Sequence, residues 1–509
     1  MTAIEDGSST TGSGEKNVDS CGPSAPSAEG RLQDVAEAKA NGIGEVRPHV
    51  NRLSYSGKTI LAPMVRVGTL PMRLLALEFG ADIVYSEELI DWKLLRSFRR
   101  VNEVLGTIDF VDETDGTIVF RTCAREREQV VLQMGTSDPQ RALKAGKLVE
   151  NDVAGIDINM GCPKEFSVKG GMGVALMADL AKAKNILRTL VNGLRCPVTC
   201  KVRVLSDIDA TVAVCQSLAE TGISAIGVHG RTRDERPQHS NRNHYIKAVA
   251  KALSIPVIAN GGSKEIECFE DIGKFCTETG CSSVMIARAA EWNVSIFRRN
   301  GRLPLDEVIK KYLVLSVDFD NNGSNTKYCV QNMLRELQET PRGKLFLEAQ
   351  TLEQICAIWD LGDYCRKRQL EFKASGLLGR REVCPQVLRQ ESSDIQSPLK
   401  KMKFDDHCPP DDIVTMKVAY LRSLYPSDND LPKTRVLAWS RSQKLGMPVY
   451  KTVQEGKLFQ SVLTLSGKQY TSSMWEKNKR WAEQGAALVC LCSVGQVDLA
   501  TLKADGSIL

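Results

Sequence analysis

Eight short, β-rich apolar runs separated by helix-length stretches constrain this 509-residue chain more than any other feature. The runs are Thr59 to Val65, Ala81 to Ser86, Val130 to Gly135, Gly155 to Met160, Pro197 to Arg203, Ala225 to His229, Pro256 to Asn260 and Ser283 to Ala287. Intervening segments such as Val174 to Asn192, Ile208 to Thr221 and Lys264 to Thr279 are helical in composition and long enough for right-handed crossovers. Eight strand-helix units predict an α/β fold, a (β/α)8 TIM barrel, with a doubly wound open sheet as the alternative. The interval 87–129 exceeds one crossover, and Gly116 to Arg121 within it reads as an extra strand or hairpin.

In such a barrel, chemistry sits at the carboxyl ends of the strands. The first run ends Ala62-Pro63-Met64-Val65, the third carries Gln133, the fifth Lys201, and the sixth ends at His229. Taken singly, Lys201 reads as an ion-pair partner and His229 as a satisfied core histidine; polar groups at so many strand ends together point to a site. The seventh run ends Asn260-Gly261-Gly262 and the eighth Ala287-Arg288. The loops after strands seven and eight commonly bind phosphate, which needs bare backbone N–H groups and a cation. Two glycines allow close backbone approach and Arg288 offers a guanidinium fork, so a phosphorylated cofactor is implied. After the fourth run, a Gly-Cys-Pro turn places Cys162 ahead of Lys169-Gly-Gly-Met-Gly173, a segment too glycine-rich to form an element of its own. A lone loop cysteine is more often a packing residue, and its surroundings have to argue otherwise.

The remaining chain divides by composition. Residues 1–54 lack aromatics and carry an acidic excess, which predicts a disordered tail and disfavours a mitochondrial leader. The barrel is assigned to 55–303, and a helical domain to 304–390 from the leucines among mixed charges there. Residues 391–425 turn Ser/Asp/Pro-rich and read as a linker, in which Lys400 to Lys403 is a weak nuclear-address candidate. No run of about 18 apolar residues and no secretory leader pattern occurs, so the expected compartment is the cytoplasm, with no membrane partner. Sixteen cysteines without a CxxC pair predict reduced thiols and no metal site, and the protein is expected to be monomeric.

From Ile413 onward, 13 Lys and Arg face 7 Asp and Glu, a net +6 that exceeds the whole-chain +5 and suggests an anionic partner. The pattern there is helix (Lys433 to Leu445), three strands (Val449 to Val453, Leu458 to Leu465, Lys468 to Thr471) and helix (Met474 to Leu491). This αβββα order, with Lys479-Arg-Trp-Ala-Glu-Gln-Gly-Ala-Ala487, resembles the double-stranded-RNA-binding domain, assigned to 426–495 with a tail at 496–509. Lys477, Lys479 and Arg480 crowd the start of the second helix, where backbone N–H groups already favour phosphate. Arg441, Lys444 and the Glu455-Gly-Lys457 turn are placed to touch minor grooves. Glu483 stands where that family usually has a third cation.

Ala62-Pro-Met64, Gln133-Met-Gly135, Asn159-Met-Gly-Cys-Pro163, Lys201-Val-Arg203, Val228-His-Gly-Arg-Thr232, Asn260-Gly-Gly262 and Ala287-Arg288 together resemble the tRNA-dihydrouridine synthases. The basic C-terminal module makes the resemblance closest to the eukaryotic branch acting at position 20 of the tRNA D-loop. The resemblance implies FMN across the barrel mouth, its phosphate at Asn260, Gly261, Gly262, Ala287 and Arg288 and its ring over Pro63, Met64 and Val65. Gln133 would bond the pyrimidine edge of the flavin, and Lys201 and His229 would lie where negative charge accumulates on reduction. NADPH would supply the hydride and Cys162 the proton. A thiol with an ordinary pKa near 8.5 is about 97% protonated at pH 7, as an acid requires. A flavin oxidoreductase acting on a free pyrimidine and a non-catalytic RNA-binding protein are the competing readings.

Overall fold

The computed structural model describes residues 53–377 and 413–508, apart from 237, 426, 456, 457, 477, 505 and 506. The acidic tail up to residue 52, most of the expected linker with its Lys400 to Lys403 cluster, and Lys477 lie outside the described residues. Eight parallel strands close a barrel: β1 (Thr59–Leu61), β2 (Ile83–Tyr85), β3 (Val130–Gly135), β4 (Gly155–Met160), β5 (Val198–Arg203), β6 (Ala225–His229), β7 (Val257–Asn260) and β8 (Ser283–Ile286). Closure is made where Ile60 of β1 pairs with Met285 of β8. Among the described residues, no helix is long and apolar enough to cross a membrane.

β1 is shorter than its apolar run. Pro63 has no N–H to continue the ladder, and the chain turns as the Val67 and Gly68 amides donate to the Met64 carbonyl at 3.1 and 2.9 Å. Inward positions alternate with outward ones, which creates two cores. A broad one lies between strands and helices; a small one inside the barrel holds Ile60, Ile83, Tyr85, Val131, Ala225, Ile258 and Met285. That inner apolar plug fills the lower barrel. Further up, inward positions become polar.

The long interval after β2 contains a three-stranded antiparallel sheet, Ser97–Asn102, Thr107–Asp112 and Ile118–Cys123, so the expected extra strand lies two residues later than its sequence pattern suggests. Buried Asp109 ties this sheet together by bonding Arg121 at 2.6 Å and Arg100 at 3.1 Å. Beyond the barrel, helices Leu305–Asp318, Gly323–Leu334, Pro341–Glu348, Leu352–Ala357 and Gly362–Ala374 form the helical part. It grips the loop after β1: Asn325 Nδ2 donates to the Arg66 carbonyl at 2.6 Å, and the Arg66 guanidinium lies over the Tyr328 ring.

The C-terminal part is a four-stranded sheet of β9 (Ile413–Met416), β10 (Val449–Glu455), β11 (Leu458–Leu465) and β12 (Lys468–Ser472), in the order β9-β12-β11-β10. Helix Lys479–Ser493 packs on it, and helix Pro432–Ser442 packs against that helix. Three expectations differ here. The last stretch of expected linker contains β9, parallel to β12, and is followed by fully buried Val418 and Ala419. The expected tail returns to it: the Ala419 amide donates to the Ser507 carbonyl at 2.8 Å, and Leu502 is buried. The second helix begins at Lys479, not Met474, because Asn478 caps it by accepting from the Trp481 amide at 3.0 Å. Ahead of that cap, Glu476 exchanges two backbone bonds with Phe459, at 2.7 and 2.8 Å.

Candidate active site and nucleic-acid interface

Strand register assembles the polar upper barrel. Gln133, Asp157 and Thr199 stand side by side across β3, β4 and β5. Asp157 is fully buried and accepts from Gln133 Nε2 at 2.8 Å and Thr199 Oγ1 at 2.7 Å. Burial pushes its carboxyl up to about 6, against the pull of those two bonds and of Lys201. One inward position higher, Lys201 sits opposite Asn159. Burial, reinforced by neighbouring Arg203, brings the Lys201 ammonium down to about 7.

At the top of β6, burial and the surrounding cations Lys201, Arg203, Arg231 and Arg288 hold His229 well below the ordinary imidazole range, so its ring is neutral at pH 7. Arg231 is 3% exposed, and its guanidinium bonds the Gly261 carbonyl at 2.8 Å and the His239 carbonyl at 3.0 Å, with His229 Nε2 3.3 Å away. Beside it lies a cavity of about 80 Å³ lined by His229, Arg231, Asn260 to Ser263 and Ala287 to Ala289. Asn260 shapes its floor by donating to the Met285 carbonyl at 2.8 Å. Gly261, with φ of 123°, leaves its backbone bare; a Cβ there would lie 2.1 Å from Asn241 Oδ1, a buried atom with no hydrogen-bond partner. This region thus collects cations around a small cavity with exposed backbone.

Cys162 follows β4 on a turn fixed from several sides. Asn159 Oδ1 accepts from the Gly161 and Cys162 amides at 2.9 and 3.1 Å, and Arg203 Nε donates to the Gly161 carbonyl at 2.8 Å. Gly173, with φ of 59°, packs so closely that a side chain there would lie 2.5 Å from the Cys162 carbonyl. Between them the chain forms a short helix, Glu165–Lys169, inside the loop. Burial raises the half-buried thiol's pKa above the ordinary cysteine value, and the nearby Glu88 carboxyl acts in the same direction.

Of the cofactor residues expected from sequence, Lys201, His229, Asn260, Gly261, Gly262, Ala287 and Arg288 are brought together at the upper barrel, with Pro63, Met64 and Val65 just beyond β1. Val65 is 44% exposed. Gln133 is buried and its amide already donates to Asp157. In the C-terminal part, Arg441 and Lys444 are exposed at the end of one helix, and Lys479 and Arg480 are the exposed first residues of the other. Glu483 is largely buried, with Lys433 Nζ at 2.5 Å and Lys479 Nζ at 4.0 Å.

Residues 60–355 match the Dihydrouridine synthase (Dus) family and residues 432–494 the Double-stranded RNA binding motif. The chain belongs to the dihydrouridine synthase family. It is 36% identical over 350 residues to a tRNA-dihydrouridine(20) synthase [NAD(P)+] of Schizosaccharomyces pombe, covering 67% of this chain and 70% of that protein. A Saccharomyces cerevisiae protein of the same name is 31% identical over 381 residues, covering 69% of this chain and 98% of that one. The C-terminal part is also similar to a crystal structure of a tRNA-dihydrouridine(20) synthase dsRBD domain, at 44% identity and a TM-score of 0.16, covering 16% of this chain and 89% of that one.

Several residues of the site did not stand out in the sequence as such. Asp157 is a lone acid in a mostly apolar strand, a signal of a deliberately buried charge. Arg231 was visible only as one letter of a motif. Glu88 and Asn241 had no local signal, because their neighbours come from distant strands.

Proposed function

We propose that this protein reduces the C5=C6 bond of a D-loop uridine, at position 20, of tRNA to dihydrouridine, using NADPH and FMN, with Cys162 as the proton donor. What carries the reading is the combination of a half-buried, pinned thiol with raised pKa and a cation-lined cavity on the same barrel mouth. FMN fits the residues present: the bare Gly261 backbone and the Arg231 and Arg288 guanidinium groups suit a phosphate, and half-buried Pro63 and Met64 with exposed Val65 offer a shelf for a ring. A flavin held there would supply the hydride for C6 of the uracil, taken from NADPH.

The chain's own groups do the rest. Lys201, titrating near 7, supplies a proton or positive charge where negative charge develops, and neutral His229 supplies a ring N–H or lone pair beside it. Gln133 and Asp157 brace this layer from below through their mutual bond, so Gln133 offers only the rest of its amide to a ligand. Cys162 holds its proton at neutral pH and delivers it to C5. A D-loop uridine leaves its stack more cheaply than a helical one, by a few kcal/mol at most. Outside the barrel, Arg441, Lys444, Lys477, Lys479 and Arg480 contact tRNA phosphates, recognising A-form shape.

Incubation of the protein with NADPH and unmodified tRNA, followed by mapping of dihydrouridine along the D-loop, tests the reaction. Cys162→Ala should keep bound flavin and NADPH oxidation while tRNA reduction falls roughly 10²-fold or more. Near-normal dihydrouridine formation by that variant would remove Cys162 from the mechanism.

A further inference from the structure

We propose that Trp92 is a stacking platform for a base of the tRNA D-loop, placed on the rim of the barrel beside the loop that carries Cys162. This role rests on the reading of tRNA as the substrate. Trp92 belongs to the short helix Asp91–Leu95, which follows Leu89–Ile90, a short strand whose Ile90 pairs with Gly135 at the carboxyl end of β3. Its indole is 60% exposed. Single aromatic rings on a surface are ordinary, but this one is held in place from one side. The Arg141 guanidinium lies over the ring, 4.8 Å from its centre. Fully buried Asp91 fixes both partners: Oδ1 accepts from the Trp92 amide at 2.6 Å, and Oδ2 accepts from Arg141 Nε at 3.0 Å and Thr136 Oγ1 at 2.7 Å. A cation thus occupies one face of the ring, and the rest of it stands in water.

Arg141 also ties this ring to the catalytic loop. Its Nη2 donates to Ser137 Oγ at 3.2 Å, and the Ser137 Cβ lies 3.5 Å from where a Cβ on Gly171 would stand. Gly171 belongs to the segment between Cys162 and Gly173, so the ring and that loop share one edge of the mouth. On the loop itself Phe166 is a second exposed aromatic, at 54%. Lys93, next to Trp92, and Lys144, one turn beyond Arg141, are exposed and form no ion pair among the described residues. Flat rings beside uncompensated cations suit single-stranded nucleic acid, because bases stack on the rings while phosphates meet the cations. A uridine that swings out of the D-loop into the barrel leaves its neighbours without a stacking partner. An indole already fixed by Asp91 and Arg141 supplies one at little ordering cost.

The test measures equilibrium binding of unmodified tRNA to the full-length, flavin-loaded protein at several salt concentrations. Trp92→Ala should weaken binding about fivefold or more at every salt concentration. Its slope of log affinity against log salt should equal that of wild type, because a stack is lost and no phosphate contact. Trp92→Phe keeps a ring and should stay within about threefold of wild type. Aminopurine, a fluorescent base analogue, is then substituted in turn along the D-loop. At one position or more its emission should be quenched on binding wild type and not on binding Trp92→Ala. Equal affinity of Trp92→Ala and wild type overturns the platform, as does a D-loop in which no position shows quenching that depends on Trp92. Unchanged tRNA affinity together with lost self-association in Trp92→Ala also overturns it and makes the ring a contact between copies of this chain. If wild type binds tRNA and forms no dihydrouridine, the proposed reaction fails, while the binding measurements still decide the role of Trp92.

Discussion

The barrel mouth and the C-terminal module both concentrate cations, yet they hold them in opposite ways. In the barrel, Lys201 and Arg231 are packed around a neutral His229, and burial holds Lys201 near 7 and His229 without its extra proton. In the module, Arg441, Lys444, Lys479 and Arg480 stand in water at helix ends. Buried charges are expensive and can be tuned; exposed charges are inexpensive and act by number. The first arrangement suits chemistry on one bond, the second suits a polyanion. Loss of one buried group should therefore alter pH behaviour, whereas loss of exposed groups should alter salt dependence.

The largest expected effect concerns Lys201. Its ammonium is held near 7, far below the ordinary 10.5, so the unfolded chain binds more protons than the folded one between those values. Stability from this group is therefore fully present above pH 10 and is lost as pH falls toward 7, by an amount on the order of 3–5 kcal/mol. Asp157, pushed up to about 6, acts in a separate window: the folded state binds more protons between about 4 and 6, so stability falls as pH rises through it. Thermal unfolding of the flavin-free protein against pH should show the stability difference between wild type and Lys201→Met shifting in favour of wild type from pH 7 to 10, over and above the opposing titration of the buried thiols. A parallel curve for the variant would mean that Lys201 is not held in its buried, depressed state.

Second in size is Arg288→Ala. A guanidinium–phosphate contact contributes about 1.5–3 kcal/mol, so the variant should bind FMN roughly 10- to 100-fold more weakly and lose its yellow colour during purification. Flavin fluorescence during titration of the flavin-free protein measures this directly. An unchanged affinity would assign the phosphate elsewhere, with Arg231 as the remaining cation of that cavity.

How much of this contrast could be read from sequence depends on what fixes each group. The eight strands were legible because apolar runs bounded by turns are a local signal, and the basic module because charge is additive along the chain. Tertiary register was not legible. Nothing near Gln133 announces that its amide bonds Asp157, since the pair is created by β3 lying beside β4. Glu88 sits in Ser-Glu-Glu-Leu, a segment with no motif, and only the pairing of the next strand with Gly135 makes room for its carboxyl. In the module, the run from Met474 looked helical in composition, but Asn478 is a strong cap and moved the start to Lys479. β9 was hidden in a segment whose proline- and serine-rich beginning dominated its composition.

The third prediction tests whether exposed cations act by number. Each neutralised phosphate contributes about 0.9 to the slope of log affinity against log salt, so Lys479→Ala with Arg480→Ala should reduce that slope by about 2. Affinity for tRNA should fall at low salt and converge with wild type at high salt, while NADPH-driven flavin reduction should be unchanged. Filter binding at several salt concentrations measures it. Equal slopes would move the RNA contacts away from the start of the second helix.

The smallest effect separates folding from binding at one residue. Lys444 ends the first helix of the module with φ of 57°, a left-handed conformation that a side chain disfavours and glycine accepts. Its amide donates to the Arg441 carbonyl at 3.1 Å, which closes the helix whatever the side chain is. Lys444→Gly should therefore stabilise the module by about 0.5–1 kcal/mol, set against a small entropic gain of the unfolded chain. Hydrogen exchange in the full-length protein at Leu488 to Leu491, which are buried in the module core, should slow by about two- to fivefold. The same variant lacks one exposed cation, so its salt slope for tRNA should fall by about 0.9. The two readouts move in opposite senses, with a firmer fold and a weaker grip. Faster exchange together with a weaker grip would mean that Lys444 holds the helix end through its side chain, and that the comparison between costly buried charges and inexpensive exposed ones fails at this position.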